Sequence, residues 1–306
     1  MQQKAKDIIA KALEVIEQYT TRLTIRQIYY RLVSVHLIEN KVSEYQAVVQ
    51  ALKQARLDGL IPYESIEDRT RAFIGHDYDL ETPEEHFNGA KSYFEKADEY
   101  YNLPVWLNQP EYVEVWLEKQ ALAALFEQVT NKFNVRLAPC RGYPSLTFLW
   151  EGAQHLQPIS EVRHVNILYF GDFDPSGQDI PRYIEQRLTE DLGIDTESME
   201  FTKIAITPEQ IEQYNIPPMP VKMTDSRGAA FAAEHGAHSA VELDALDPKV
   251  LQKMIEQEIV RYLDMDILKQ RNEQEKEGRA QIKGMVAKAL GEREAKRQHV
   301  KKRKKK

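Results

Sequence analysis

The stretch Ile167-Leu-Tyr-Phe-Gly-Asp-Phe-Asp-Pro-Ser-Gly177 decides how this chain is read. The run Val165 to Phe170 is apolar except for Asn166, the composition of a parallel strand buried on both faces. It stops abruptly at Asp172-x-Asp174, and Pro175-Ser-Gly177 opens a helix. Alternate residues of an extended chain point to the same side, so two carboxylates at the carboxyl end of the strand can converge. Ligands of open α/β sheets sit outside the carboxyl ends of the strands. Two hard oxygen donors there suit a divalent cation, Mg²⁺ before Zn²⁺. The same residues also fit a plainer role, an Asx-turn pair that caps the following helix.

Strand and helix patterns alternate on both sides of this stretch. Tyr112-Val-Glu-Val-Trp-Leu-Glu118 reads as a strand ending in a carboxylate, and a helix follows with Leu122, Leu125, Phe126 and Val129 on one face. A strand near 135–139, the Gly142-Tyr-Pro144 turn and a helix near 145–155 lead into the Asp-x-Asp strand. A helix near 178–191 and a strand near 200–206 follow it. This alternation predicts an α/β domain over 111–265, a parallel sheet with covering helices. If the strands ending at Glu118 and Asp172 are neighbours, Glu118, Asp172 and Asp174 meet at one sheet edge. Bare, they would repel one another and raise at least one pKa; a divalent cation removes that conflict. Further on, Glu209 to Tyr214 reads as a short helix, Pro248 to Leu263 as a longer one, and 266–306 as a charged, helical, basic tail.

Upstream the periodicity is helical. Residues 4–18 carry Ile8, Ile9, Leu13 and Ile16, and Thr24 is placed to cap a second helix. In that helix Ile25, Ile28, Tyr29, Leu32 and Val33 form one apolar stripe. Tyr29 therefore belongs to the core. Tyr30 falls off the stripe, four residues after Arg26, and is expected to be presented beside that cation. Residues 43–58 form a third helix with Lys53 and Arg56 on its polar side, stopped by Gly59. Ile61-Pro-Tyr-Glu-Ser-Ile66 and Asp68-Arg-Thr-Arg71 read as strand-like pieces. Three helices and a hairpin outline a winged helix-turn-helix domain over 1–76. The third helix would face a DNA groove, with Arg69 and Arg71 on the wing. A small helical bundle with charged faces has the same pattern. Residues 77–110, with a helix near 83–101, read as a connector.

Composition sets outer bounds. The 306 residues, 42% hydrophobic and 29% charged, describe a soluble globular protein of about two domains. No apolar run is long enough for a membrane span, and Met-Gln-Gln-Lys is not a signal sequence. One cysteine, Cys140, excludes an internal disulfide and a thiolate zinc cluster, which fits a cytoplasmic setting. The net charge of −7 is uneven. From Arg293 onward nine Lys or Arg stand against one Glu, about +8, leaving roughly −15 on the rest. Such a tail reads as a disordered arm for phosphate backbones, or as a solubilising run.

A Glu followed by an Asp-x-Asp across two βα segments is the plan of the TOPRIM fold. Four pieces carry a more specific resemblance: Arg26-x-x-Tyr-Tyr30 in a winged helix, Glu118-Lys-x-Ala-Leu122, Gly142-Tyr-Pro144 and Gly171-Asp-Phe-Asp-Pro-Ser-Gly177. Together they resemble the A subunit of topoisomerase VI and the related meiotic double-strand-break protein, over about residues 20–265. The nearest likeness is to shortened, stand-alone A-subunit-like proteins. The resemblance implies that Tyr30 attacks a DNA phosphate to give a 5′-phosphotyrosyl link. It implies Mg²⁺ on Glu118, Asp172 and Asp174, and a nucleoid-associated homodimer in which Tyr30 of one protomer meets the metal site of the other. Arg26 would stabilise the phenolate or the phosphate charge, and Lys53, Arg56, Arg69, Arg71 and Lys119 would contact double-stranded DNA. Lys119 has an alternative partner in a helix-face carboxylate. A tyrosine of pKa about 10 is ionised at roughly one part in a thousand at pH 7, a cost near 4 kcal/mol that the site must lower. In the family an ATPase-bearing B subunit drives strand passage. Only one helix precedes Tyr30 here, and the chain has no Walker-type loop, so such a partner would be a separate chain. Two other readings use the same residues differently. A TOPRIM nuclease would activate water and need the carboxylates without Tyr30, and a winged-helix DNA-binding protein would need neither.

Overall fold

The structure, a computed structural model, describes residues 3–19, 22–67 and 81–303, with 292–303 as backbone only. In chain order the first elements are α1 (Gln3–Glu17), α2 (Ile25–Ser34), α3 (Val42–Leu57), α4 (Pro83–Glu95), β1 (Glu111–Leu117), α5 (Ala123–Thr130), β2 (Arg136–Pro139) and α6 (Leu146–Ser160). There follow β3 (His164–Phe170), α7 (Pro175–Gln186), β4 (Met199–Ala205), α8 (Pro208–Gln213), α9 (Gly228–His235), α10 (Pro248–Val260) and α11 (Met265–Arg303). The chain divides into two compact units, Met1–Ala72 with Pro110–Tyr262, and Phe73–Gln109 with Leu263–Lys306. The N-terminal helices and the α/β region, expected as separate domains, thus pack as one unit.

In the first unit α1 buries Ile8, Ile9, Ala12 and Val15. Thr24 caps α2 through a reciprocal box. Its hydroxyl accepts from the Gln27 amide at 3.2 Å, and Gln27 Oε1 accepts from the Thr24 amide at 2.8 Å, worth about 1 kcal/mol. α3 is followed by Gly59 at φ +73°, the left-handed stop its residue type favours. Where a strand was expected over 61–66, the chain makes one 3₁₀ turn, Tyr63–Ser65, and a single bridge from Ile66 to Leu23. Pro62, with φ −60° and no N–H to donate, suits that turn and not a ladder. The second expected piece, with Arg69 and Arg71, lies outside the described residues.

The α/β region is a four-stranded, all-parallel sheet in the order β2-β1-β3-β4. β1 and β3 are direct neighbours in a register that pairs Leu117 with Phe170. One face packs Trp116, Val165, Ile167 and Tyr169 against Leu149 and Leu156 of α6 and Ile180 and Ile184 of α7. On the other, Phe170 meets Phe126 of α5 edge-on, ring centroids 5.1 Å apart. From β1 the chain goes outward to β2, then returns to build β3 on the opposite side. The β1/β3 junction is therefore a topological switch point, where the flanking connections diverge and leave a crevice beyond the strand ends.

In the second unit, residues 101–109 are tied to α11. Arg279 donates to the Tyr101 carbonyl (2.9 Å) and Asn102 Oδ1 (2.6 Å), and Glu275 accepts from the Leu103 amide (2.9 Å). α4 stops at Glu95, short of the expected 101, and buries no residue. α11 continues as helix to Arg303, about 58 Å at 1.5 Å per residue, so the expected disordered arm is helical as far as the backbone is described. Among the described residues no helix is long and apolar enough to cross a membrane.

Candidate active site

Glu118 and Asp172 come together at the β1/β3 switch point. Glu118 directly follows β1, and its amide donates to the Phe170 carbonyl at 2.9 Å, carrying the ladder one residue past the strand. Its Oε2 accepts from the Asp172 amide at 2.9 Å. Two glycines make this closeness possible. A Cβ on Gly171 would lie 2.6 Å from Glu118 Oε2, and a Cβ on Gly177 would lie 2.3 Å from the Asp172 carbonyl oxygen. Asp174 is the N-cap of α7, accepting from the Gly177 amide at 2.7 Å, with Pro175 next. The capping role open to this motif is thus the one Asp174 fills, whereas Asp172 turns inward, its Oδ1 accepting from the Leu243 amide at 2.8 Å.

That last bond brings in a pair the sequence reading assigned no role. Phe173 and Val241 exchange both backbone hydrogen bonds at 2.8 Å, which sets Glu242-x-Asp244 against the Asp-x-Asp turn. The Lys119 ammonium lies among three carboxylates, 3.1 Å from Asp172 Oδ2, 2.9 Å from Glu242 Oε2 and 3.0 Å from Asp244 Oδ1. Arg26 reaches the same pair from α2, paired with Glu242 and 3.3 Å from Asp244 Oδ2. Burial alone would depress the lysine, but Asp244, Asp172 and Glu242 outweigh it and hold Lys119 well above an ordinary ammonium. Burial likewise opposes ionisation of Glu242, yet Lys119 and Arg26 bring it down to about 2. Asp172 goes the other way. Burial, helped by Glu118 and Asp244, pushes it up to about 7 despite Lys119. Glu118 is raised by burial and by Asp174. Lys203, also missed in the sequence, donates to the carbonyls of Asp172 (2.8 Å) and Gly177 (2.9 Å). Burial lowers it to about 8.

The aromatic pair on α2 divides differently from the helical stripe. Tyr29 is core, as read, with its hydroxyl on Asn40 Oδ1 at 2.9 Å. Tyr30 is not presented to solvent; it is 1% exposed. Its hydroxyl donates to Met219 Sδ at 3.0 Å, and the Arg26 guanidinium stands 5.9 Å from its ring. The cover is the segment around Met219, itself bridged to Ala240 and fixed by Asn40 Nδ2 on the carbonyls of Pro217 and Pro218. Burial first, then Glu242 and Asp244, raise the Tyr30 phenol above its ordinary value.

The cations expected on DNA are distributed unevenly. Lys119 is turned into its carboxylates and is no surface phosphate contact; the partners are carboxylates of the 172 and 242–244 turns, not of a helix face. Arg26 is likewise committed to Glu242 and Asp244. Arg56 lies 4.8 Å over the Tyr63 ring and donates to the Tyr63 carbonyl at 3.3 Å. Lys53 is exposed on α3, and Arg69 and Arg71 are outside the described residues. Tyr143 of the Gly-Tyr-Pro turn donates to Asp179 of α7 at 2.6 Å.

The donor chemistry fits a hard divalent cation: carboxylate oxygens only, two of them crowded and held above the ordinary carboxylate pKa. The arrangement itself is closed. Among the described residues no three His, Cys, Asp or Glu side chains are grouped as a bound ion needs; Asp174 serves the Gly177 amide and Asp172 faces Lys119. No protein-family model matches the chain, and no curated protein or solved structure is significantly similar to it.

Proposed function

We propose that this protein is a Mg²⁺-dependent DNA-cleaving transesterase of the kind formed by the topoisomerase VI A subunit. The observation that carries the reading is the meeting, at one sheet edge, of Glu118 and Asp172 with the Arg26–Tyr30 turn of α2, joined through Glu242 and Asp244. Glu118 and Asp172, with Asp174 at the same edge, would hold the ion, which supplies positive charge for the phosphate and the departing 3′ oxygen. In the step itself Tyr30 Oη forms a bond to phosphorus, the bond to the 3′ oxygen breaks, and the phenol proton is lost to solvent. Arg26, one helical turn from Tyr30, would serve the phosphate once drawn off Glu242 and Asp244. The state described is then a resting one, since attack needs Met219 moved off the Tyr30 hydroxyl. Double-stranded DNA is the substrate and α3, with Lys53, the helix for its groove, in the manner of a helix-turn-helix. A homodimer would cut both strands, and strand passage would need a separate ATPase subunit.

Burial of Tyr30 favours one second reading, a nuclease that attacks with water and needs only the carboxylates. Both readings are tested by incubating supercoiled plasmid with the protein, with and without Mg²⁺, alongside Asp172→Ala. Cleavage that requires Mg²⁺ and is lost in the variant, while duplex binding persists, is the expected result. Cleavage unaffected by Asp172→Ala overturns both.

A further inference from the structure

We infer that the Lys119 ammonium stands in the place of a second metal ion, so that the carboxylate edge takes one divalent cation per chain and carries its other counter-charge as a fixed side chain. The inference rests on the metal site proposed above and goes beyond it by setting how many ions that site takes. Lys119 directly follows Glu118, and its ammonium has carboxylate oxygens of Asp172 (3.1 Å), Glu242 (2.9 Å) and Asp244 (3.0 Å) around it. Asp172 and Asp244 are only 6% and 2% exposed. Carboxylates buried that close together need a cation among them, and here the chain supplies it. Asp172 belongs both to this group and to the proposed ion ligands, which puts the ammonium in the position next to the ion, where a two-ion centre holds its second metal.

Charge balance agrees with a single ion. Glu118, Asp172, Asp174, Glu242 and Asp244 face Arg26, Lys119 and Lys203. With every group ionised, five carboxylates against three cations leave two negative charges. One divalent ion neutralises that remainder, and a second would leave the buried edge positive. Distance agrees as well. Divalent ions bond to oxygen at about 2.0–2.6 Å, shorter than the 2.9–3.1 Å found around Lys119 Nζ. The group is therefore set for an ammonium, and its carboxylates can close on a metal only once the lysine is gone. The turn that carries Glu242 and Asp244 is held to Phe173 and Asp172 by hydrogen bonds of 2.8 Å, so these oxygens stay together without Lys119.

The experiment counts ions on the protein without DNA. Wild type, Lys119→Ala and Lys119→Met are titrated with Mn²⁺, and free Mn²⁺ is read from its electron paramagnetic resonance signal. About one bound ion per chain is expected for wild type and about two for Lys119→Ala. Lys119→Met, whose side chain still fills the position, should gain none. Adding Glu242→Gln to Lys119→Ala should remove the gained ion and leave the first. Mn²⁺ should also return most of the melting temperature that Lys119→Ala loses, because the ion takes over the role of the ammonium. Two ions on wild type, no gain in Lys119→Ala, an equal gain in Lys119→Met, or a gained ion that survives Glu242→Gln overturns the inference. So does a Lys119→Ala chain that Mn²⁺ cannot restore to the wild-type fold. No ion on wild type with one gained in Lys119→Ala separates the two claims: the proposed metal site then fails, and the place assigned to Lys119 stands.

Discussion

Replacing Lys119 with methionine is the most informative change in stability. The side chain keeps its length and loses its charge, leaving Glu242 and Asp244 with Arg26 and Asp172 with the more distant Lys203. The size of the effect follows from Glu242, lowered from 4.5 to about 2 by its two cations. Each pKa unit is 1.36 kcal/mol, so the shift corresponds to about 3 kcal/mol of folding stability. Lys119 is 21% exposed and Arg26 37%, so solvent screens the arginine more and the lysine takes the larger share. Two further carboxylates also lose a partner, and breaking a buried ion pair costs about 3–5 kcal/mol. Lys119→Met should therefore lose about 3 kcal/mol at pH 7. The sign with pH is fixed. A depressed carboxylate stabilises the fold above its unfolded pKa near 4.5, and that contribution fades as pH falls toward 2. The deficit of Lys119→Met should shrink in the same window, because protonated carboxylates no longer need the lysine. Urea unfolding of both proteins at pH 7 and near pH 3 reads this. A deficit under about 1 kcal/mol at pH 7, or one that is the same at both pH values, refutes the reasoning.

Other changes test neighbouring parts of the account. Gly177→Ala places a Cβ 2.3 Å from a backbone oxygen and should cost at least about 2 kcal/mol despite the better helix former. Gly284→Ala in α11 meets nothing within 4 Å and should stabilise by up to about 1 kcal/mol; equal effects in thermal unfolding would contradict the close approach at Asp172. Asp174→Ala should lose about 1 kcal/mol with the cap of α7, and Asp174→Asn should keep most of it. The proposed site predicts that Mg²⁺ raises the wild-type melting temperature and that both variants blunt the rise; an undiminished Mg²⁺ response would remove Asp174 from the ion. Tyr30→Phe, which removes only the Met219 contact, should change stability by under about 1 kcal/mol, and a larger loss would make the hydroxyl a structural group.

The sheet was readable because its signals are local and strong. An apolar run closed by Gly171-Asp-Phe-Asp174 can hardly be anything but a buried strand leading into a capped helix, and Glu118 closes β1 in the same way. Helix stripes placed α1 to α3 within a residue or two. What failed was set by distant parts of the chain. The stripe on α2 shows which side meets the helical bundle and is silent about Met219, 189 residues away, which covers the other side of Tyr30. Glu242 and Asp244 carry no periodic signal because they lie in and just before a single 3₁₀ turn, Leu243–Ala245, placed by the bridge between Val241 and Phe173. A charged Lys119 looked available to phosphate since its three counter-charges come from two remote segments. Pro62 was the one local warning against a strand at 61–66.

The most direct test of the central claim is to find what is attached to the cut ends. Wild type and Tyr30→Phe are incubated with supercoiled plasmid and Mg²⁺, stopped with detergent, and the DNA termini are probed for covalently bound protein. The account predicts protein on 5′ ends with wild type and none with Tyr30→Phe. Cut DNA with free ends, made equally well by Tyr30→Phe, would contradict it and leave the carboxylates to act with water.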